Sequence, residues 1–150
     1  MVFKNIAELK LYEGKHIGKS DWLTITQNQI DDFAKATGDF QWIHVDVERS
    51  KMESPFKKTI AHGYLTLSLI AKFVFDLVEI TSVKSILNYG TNNVRFTNVV
   101  TCDSDVRLDL TLKTIEKTNI GYRTTFSCNL ELKDNDKPAV VAELIAFLIE

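Results

Sequence analysis

An aspartate and a histidine stand five residues apart in the stretch ATGDFQWIHVD, Ala36 to Asp46, with Phe40, Trp42 and Ile43 between them. A carboxylate and an imidazole held by apolar neighbours suit general acid–base work on a bound water. Asp39 and His44 are therefore candidate catalytic residues. Asp39 follows Gly38, which reads as the end of a helix, so its carboxylate leaves on a sharp turn. The plainer reading stays open: Asp39 caps a turn and His44 is an ordinary polar loop residue, since turns commonly carry such side chains.

A second cluster, TIAHGYLTLSL from Thr59 to Leu69, sets Gly63 at the start of an apolar helical pattern. Glycine permits close backbone approach, and the first N–H groups of a helix point outward with the positive end of its dipole behind them. A carbonyl oxygen or oxyanion could sit there; an ordinary, tightly packed helix start explains the glycine equally well. His62, alone before the helix, reads as structural. Lys57 and Lys58 in PFKKT could meet phosphates at a pocket mouth, but a solvated basic pair is the simpler reading. His16 receives no role. The chain has no nucleophile elbow, P-loop or dinucleotide fingerprint, which removes support for serine hydrolase, nucleotide triphosphatase and Rossmann chemistry.

These residues need elements to position them. TITQNQIDDFAKATGD predicts a helix starting at Thr26, with Gln29 in the capping-box position, a buried stripe of Ile30, Phe33 and Ala34, and a stop at Gly38. From Asp39 to His62 the periodicity weakens, and one helical turn is expected after Asp46, a good N-cap. The next helix is apolar around most of its circumference, with Ser68, Lys72, Asp76 and Glu79 as its wet stripe, so something must wrap it.

The period then changes to two. Val106, Leu108, Leu110 and Leu112 alternate with polar residues, as do Tyr122, Phe126, Cys128, Leu130 and Leu132, while AVVAELIAFLI is apolar on both faces and reads as a central strand. With NNVRF before them, four or more antiparallel strands follow one long helix. That order predicts an α+β fold in which a curved antiparallel sheet wraps the helix.

A chain of 150 residues, 45% apolar and 25% charged, fits a single domain spanning 1–150. A net charge of −2 supplies no excess of positive charge for nucleic acid. Cys102 and Cys128 lack metal or scaffold spacing and read as reduced and buried. The charged N-terminal stretch and the absence of a long apolar run give no signal peptide or membrane span, so the expected compartment is the cytoplasm.

The pair TGDFQWIHVD and TIAHGYLTLSL resembles the signature of the MaoC-like dehydratases, the (R)-specific enoyl-CoA hydratases. Gln41 and Trp42, with YGTNNVRF at Tyr89 to Phe96, look most like the nodulation-protein-N branch. The resemblance runs from about Thr26 through the strand after Phe96, and the remaining strands match the fold in pattern only. It implies a hot dog fold and a homodimer. It also implies reversible syn addition of water to a trans-2-enoyl thioester of coenzyme A or acyl carrier protein, giving the (R)-3-hydroxyacyl thioester. The family's catalytic aspartate and histidine fall on Asp39 and His44, and the N–H that holds the thioester oxygen falls on Gly63. No metal or redox cofactor is implied; coenzyme A enters only as part of the substrate. Two departures stand out: Gln41-Trp42 where many members have Asn-Pro, and Asp103 where glycine is usual in the turn before the next strand. A non-catalytic acyl-CoA-binding domain and an acyl-CoA thioesterase are the alternative functions.

Overall fold

A computed structural model describes the whole chain, Met1–Glu150. Strand β1 (Val2–Phe3), helix α1 (Ile6–Lys10), β2 (His16–Lys19) and β3 (Leu23–Thr24) precede three helices, α2 (Gln27–Thr37), α3 (Trp42–Val45) and α4 (Val47–Glu53). The long helix α5 (Gly63–Leu77) follows, then β4 (Glu79–Ile80) and four long strands, β5 (Ser85–Phe96), β6 (Asp105–Thr118), β7 (Gly121–Leu132) and β8 (Val140–Ile149).

The main sheet runs β2-β6-β7-β8-β5 with every neighbouring pair antiparallel, and β3 also pairs with β6. Alternation decides its faces. Val106, Leu108, Leu110 and Leu112 of β6 are fully buried, as are Cys128 and Leu130 of β7. Against this floor lies the stripe Leu65, Leu69, Ile70, Phe73 and Val74 of α5, and the two surfaces form most of a 29-residue hydrophobic core. Each such buried aliphatic side chain contributes about 1.5–3 kcal/mol through removal from water. Strand β8 lies between β7 and β5, in the central position its two-sided apolar sequence predicts.

Helix α2 begins where Thr26 accepts the Gln29 N–H at 3.3 Å and ends at Gly38, which adopts φ +81° and donates its N–H to Ala34. Only half of the capping box forms, because Gln29 makes no return bond to Thr26.

Three further features differ from the sequence expectation. The stretch after Asp39 holds two short helices rather than one turn, with Asp46 capping the second by accepting the Arg49 N–H at 2.9 Å. Helix α5 is covered on one side only: Tyr64 and Phe75 are 71% and 55% exposed, although Lys72 and Asp76 pair at 2.5 Å on the wet stripe as expected. His16 sits on β2, which extends the sheet, and bonds Asp109 at 2.6 Å. Asp103 keeps the left-handed conformation that favours glycine, with φ +66°, as aspartate tolerates better than most residues.

Candidate active site

The αL residue Gly38 turns the chain out of α2, and Asp39 follows at once. Its Oδ1 accepts the Gln41 N–H at 3.3 Å, a local turn that holds the carboxylate. Trp42 opens α3 beneath the Arg49 guanidinium, 4.3 Å from the ring centroid. The Ile43 carbonyl accepts the Ile60 N–H at 3.0 Å. These two residues anchor the segment. Phe40 does not, being 58% exposed, because it lies in the two-residue link between the turn and α3 and faces away from the core.

A second strap, Thr59–Ala61, forms the opposite wall. It is bonded to the chain before β6 through Ala61 N–H to Val100 O at 2.8 Å and Cys102 N–H to Thr59 O at 2.9 Å. Gln27, at the start of α2, joins both walls: its amide donates to the His44 carbonyl at 2.8 Å while its oxygen accepts the Thr59 hydroxyl at 2.5 Å. Sequence reasoning did not single out Gln27, since nothing in its local pattern separates it from any other first-turn residue.

Within this frame His44 is buried and its Nδ1 lies 2.7 Å from the Ile60 carbonyl. A carbonyl can only accept, so Nδ1 carries the hydrogen and Nε2 is left with a free lone pair. Burial holds the His44 pKa below its ordinary value; the Ile60 bond and Asp39 oppose that shift, and His62 reinforces it. Burial thus favours the neutral, basic form of the ring.

The structure brings Asp39 beside it: one carboxylate oxygen of Asp39 and one ring nitrogen each of His44 and His62 lie within 4.8 Å of one another. His62, read from sequence as a structural residue, belongs to this cluster. Its ring stacks on His44 with centroids 3.8 Å apart and planes 23° apart, and its Nε2 lies 3.0 Å from the Asp39 carbonyl.

Three such side chains could be imagined as a metal site. Their geometry argues against it: nearly parallel imidazole planes do not meet within a metal–nitrogen bond length of about 2.1 Å, so the two rings cannot both direct lone pairs at one ion.

Gly63 is the first residue of α5, and its N–H has no acceptor within the protein. It shares with His44 a groove of about 340 Å³ whose other walls include Ile60, Thr66, Phe96 and Asn98. Asp39 is not part of that lining; it stands beside the groove across the two imidazoles. The glycine is favoured by proximity rather than by φ, because a Cβ there would lie 3.1 Å from the Phe96 ring. Lys57 and Lys58 lie elsewhere. Their ammonium groups bond the Met52 and Cys102 carbonyls at 3.1 and 3.2 Å, and Lys58 also faces Asp103 at 3.5 Å. Both cysteines are free and buried, and burial pushes the Cys128 thiol up to about 12.

Comparison with known proteins bears on the family and the fold. The family pattern described as MaoC like domain matches residues 10–128. The 3-hydroxyacyl-thioester dehydratase Z of Mycobacterium tuberculosis is 43% identical over 144 residues, covering 95% of each chain. Nodulation protein N of Rhizobium leguminosarum bv. viciae is 38% identical over 146 residues, covering 96% of this chain and 91% of that one. Among solved structures, the unliganded R-hydratase of Pseudomonas aeruginosa superposes with a TM-score of 0.78 at 23% identity, covering 99% of this chain and 87% of that one. An (R)-hydratase from A. caviae superposes at 0.72 with 19% identity, covering 88% and 96%. At such identities the superpositions speak for the fold, which is the hot dog fold.

Proposed function

The chain belongs to the MaoC-like dehydratase family and interconverts enoyl and 3-hydroxyacyl thioesters, and we propose that Asp39, His44 and Gly63 carry the chemistry. The observation that carries this reading is the convergence, at one groove, of a free His44 Nε2, a neighbouring carboxylate and an unclaimed helix N-terminal N–H.

In this reading Asp39 and His44 grip one water. As its oxygen attacks C3 of a trans-2-enoyl thioester, a proton passes to the pair, and a proton returns to C2 on the same face, giving the (R)-3-hydroxy product. Negative charge builds on the thioester oxygen, where the Gly63 N–H and the positive end of the α5 dipole oppose it. Such a donor is worth about 10²–10³ in rate. The reaction needs neither metal nor redox cofactor, and coenzyme A or acyl carrier protein enters as part of the substrate.

The assembly in this reading is a homodimer of the cytoplasm. Strand β5 ends the sheet with twelve residues and one unpaired edge. Leu87 and Tyr89 on it, Phe96 at its end, and Tyr64 and Phe75 of α5 are large apolar side chains left exposed. An open edge and an apolar surface of this kind favour pairing with a second copy. Sedimentation of a fully active monomer at micromolar concentration would exclude the dimer.

Loss of enoyl absorbance on adding a series of enoyl-CoA lengths tests the reaction. Hydration without thiol release supports the reading; release of free thiol would indicate a thioesterase, and binding without turnover an acyl-CoA-binding protein.

A further inference from the structure

His62 is only 3% exposed and makes contacts that a simple packing residue has no need of. Its Nε2 lies 3.0 Å from the Asp39 carbonyl and must carry the hydrogen, since that oxygen can only accept. One face of its ring covers His44 at 3.8 Å, and it also packs against Phe33 of α2, 5.0 Å away at 51°. Its Nδ1 is buried with no partner, a destabilising feature that an apolar ring of similar shape would avoid. It also precedes α5 without capping it. Helix initiation and core filling therefore do not account for a histidine at this position.

We infer that His62 is a positioning residue that couples the two members of the reacting pair, fixing the Asp39 backbone through its N–H and the plane of His44 through its ring. This rests on the reading of Asp39 and His44 as that pair. Asp39 is thereby held by His62 at its carbonyl and by the Gln41 N–H at its carboxylate. His44 is held by Ile60 at its Nδ1, by Gln27 at its carbonyl and by His62 across its face. The titratable groups facing His62 are Asp39, from the loop after α2, and His44, from α3, whereas α2 presents the uncharged Phe33. His62 also adds to the lowering of the His44 pKa and so favours the neutral, basic form of its neighbour.

Two substitutions separate the roles. His62→Phe keeps an aromatic ring and removes the donor; His62→Gln keeps an amide donor and removes the ring. Enoyl-CoA hydration is measured against pH for both, beside Asp39→Asn and His44→Ala. A misplacement of the pair predicts kcat lower by about tenfold to a hundredfold in His62→Phe with little change in KM. His62→Gln should recover part of kcat, while the acid limb of its kcat/KM profile moves to higher pH. Wild-type kcat and an unmoved acid limb in both variants, with Asp39→Asn and His44→Ala inactive, would overturn the role of His62 and leave the pair intact. Full activity in Asp39→Asn and His44→Ala would overturn the pair itself. Nitrogen NMR of the unsubstituted protein gives a check independent of variant folding: His62 should carry its hydrogen on Nε2 and His44 on Nδ1, and the opposite tautomer at His62 would refute the bond to Asp39.

Discussion

Replacing Gly63 by alanine adds one methyl group at the point where the proposed oxyanion donor meets an aromatic wall. The new Cβ would stand 3.1 Å from Cδ1 and Cε1 of Phe96 and 3.2 Å from Cγ, where ordinary contacts lie at 3.4–4 Å. The ring must therefore retreat by a few tenths of an ångström. It can do so, being 46% exposed at the end of β5 and touching Tyr64 only edge-on at 5.8 Å. Crowding of this kind costs about 1–3 kcal/mol in a closed core and falls at the low end of that range here. Stiffening of the unfolded chain returns about 0.4–1 kcal/mol, since the backbone conformation suits alanine. Net destabilisation should stay within about 1 kcal/mol, a melting shift of about 2–4 °C. Catalysis should suffer more: Phe96 lines the groove beside His44, and its displacement with the methyl group should lower kcat/KM about tenfold, or about 1.4 kcal/mol of transition-state stabilisation. Thermal melts and hydration kinetics on Gly63→Ala, Phe96→Ala and the double variant measure both effects. Trimming Phe96 should abolish the stability cost of the alanine. Wild-type kcat/KM in Gly63→Ala would refute the close approach of substrate to this position.

Because burial holds the His44 pKa below the ordinary 6.5, kcat/KM should keep its plateau below that pH and decline only as pH falls through the lower folded value. Stability should fall between pH 6.5 and that lower folded value, since there the unfolded chain binds the proton more readily than the folded one; a melting temperature that rises on acidification from pH 6.5 would contradict the assignment. Asp103→Gly should be neutral or stabilising by up to about 1 kcal/mol, because glycine adopts the φ of +66° without a Cβ penalty, and a denaturant melt measures it. Prolonged treatment with a chelator should leave hydration unchanged, and recovery of lost activity by an added divalent metal would contradict the metal-free chemistry.

Much of this arrangement was legible in the chain because local physics decided it. The alternation from Val106 to Leu112 admits one face for a core, and Gly38 stops α2 through a conformation glycine adopts freely. Asp39, His44 and Gly63 stand out because their spacing matches a family signature. The residues that hold them were harder to find. Gln27 acts through partners at His44 and Thr59, 17 and 32 positions away, and periodicity carries no trace of such bonds. His62 looked like a lone histidine because its stacking partner lies 18 residues earlier and meets it only once both straps are folded. The short helix α3 was hidden for another reason. A single turn of four residues is too brief to establish a 3.6-residue period, and its stability comes from the Ile43–Ile60 bond and the Trp42–Arg49 stack. The exposed faces of Tyr64 and Phe75 show the converse case: an apolar circumference predicts that a helix is covered, yet this chain by itself leaves part of it open.

Hydration kinetics on Asp39→Asn, His44→Ala and the double variant test most directly whether Asp39 and His44 act on one water. Each single substitution should lower kcat by about 10²–10⁴ with the fold retained. The double variant should lose little beyond the worse single one, as expected of groups that work as a unit. Unimpaired turnover in both single variants, or losses that multiply in the double, would contradict it.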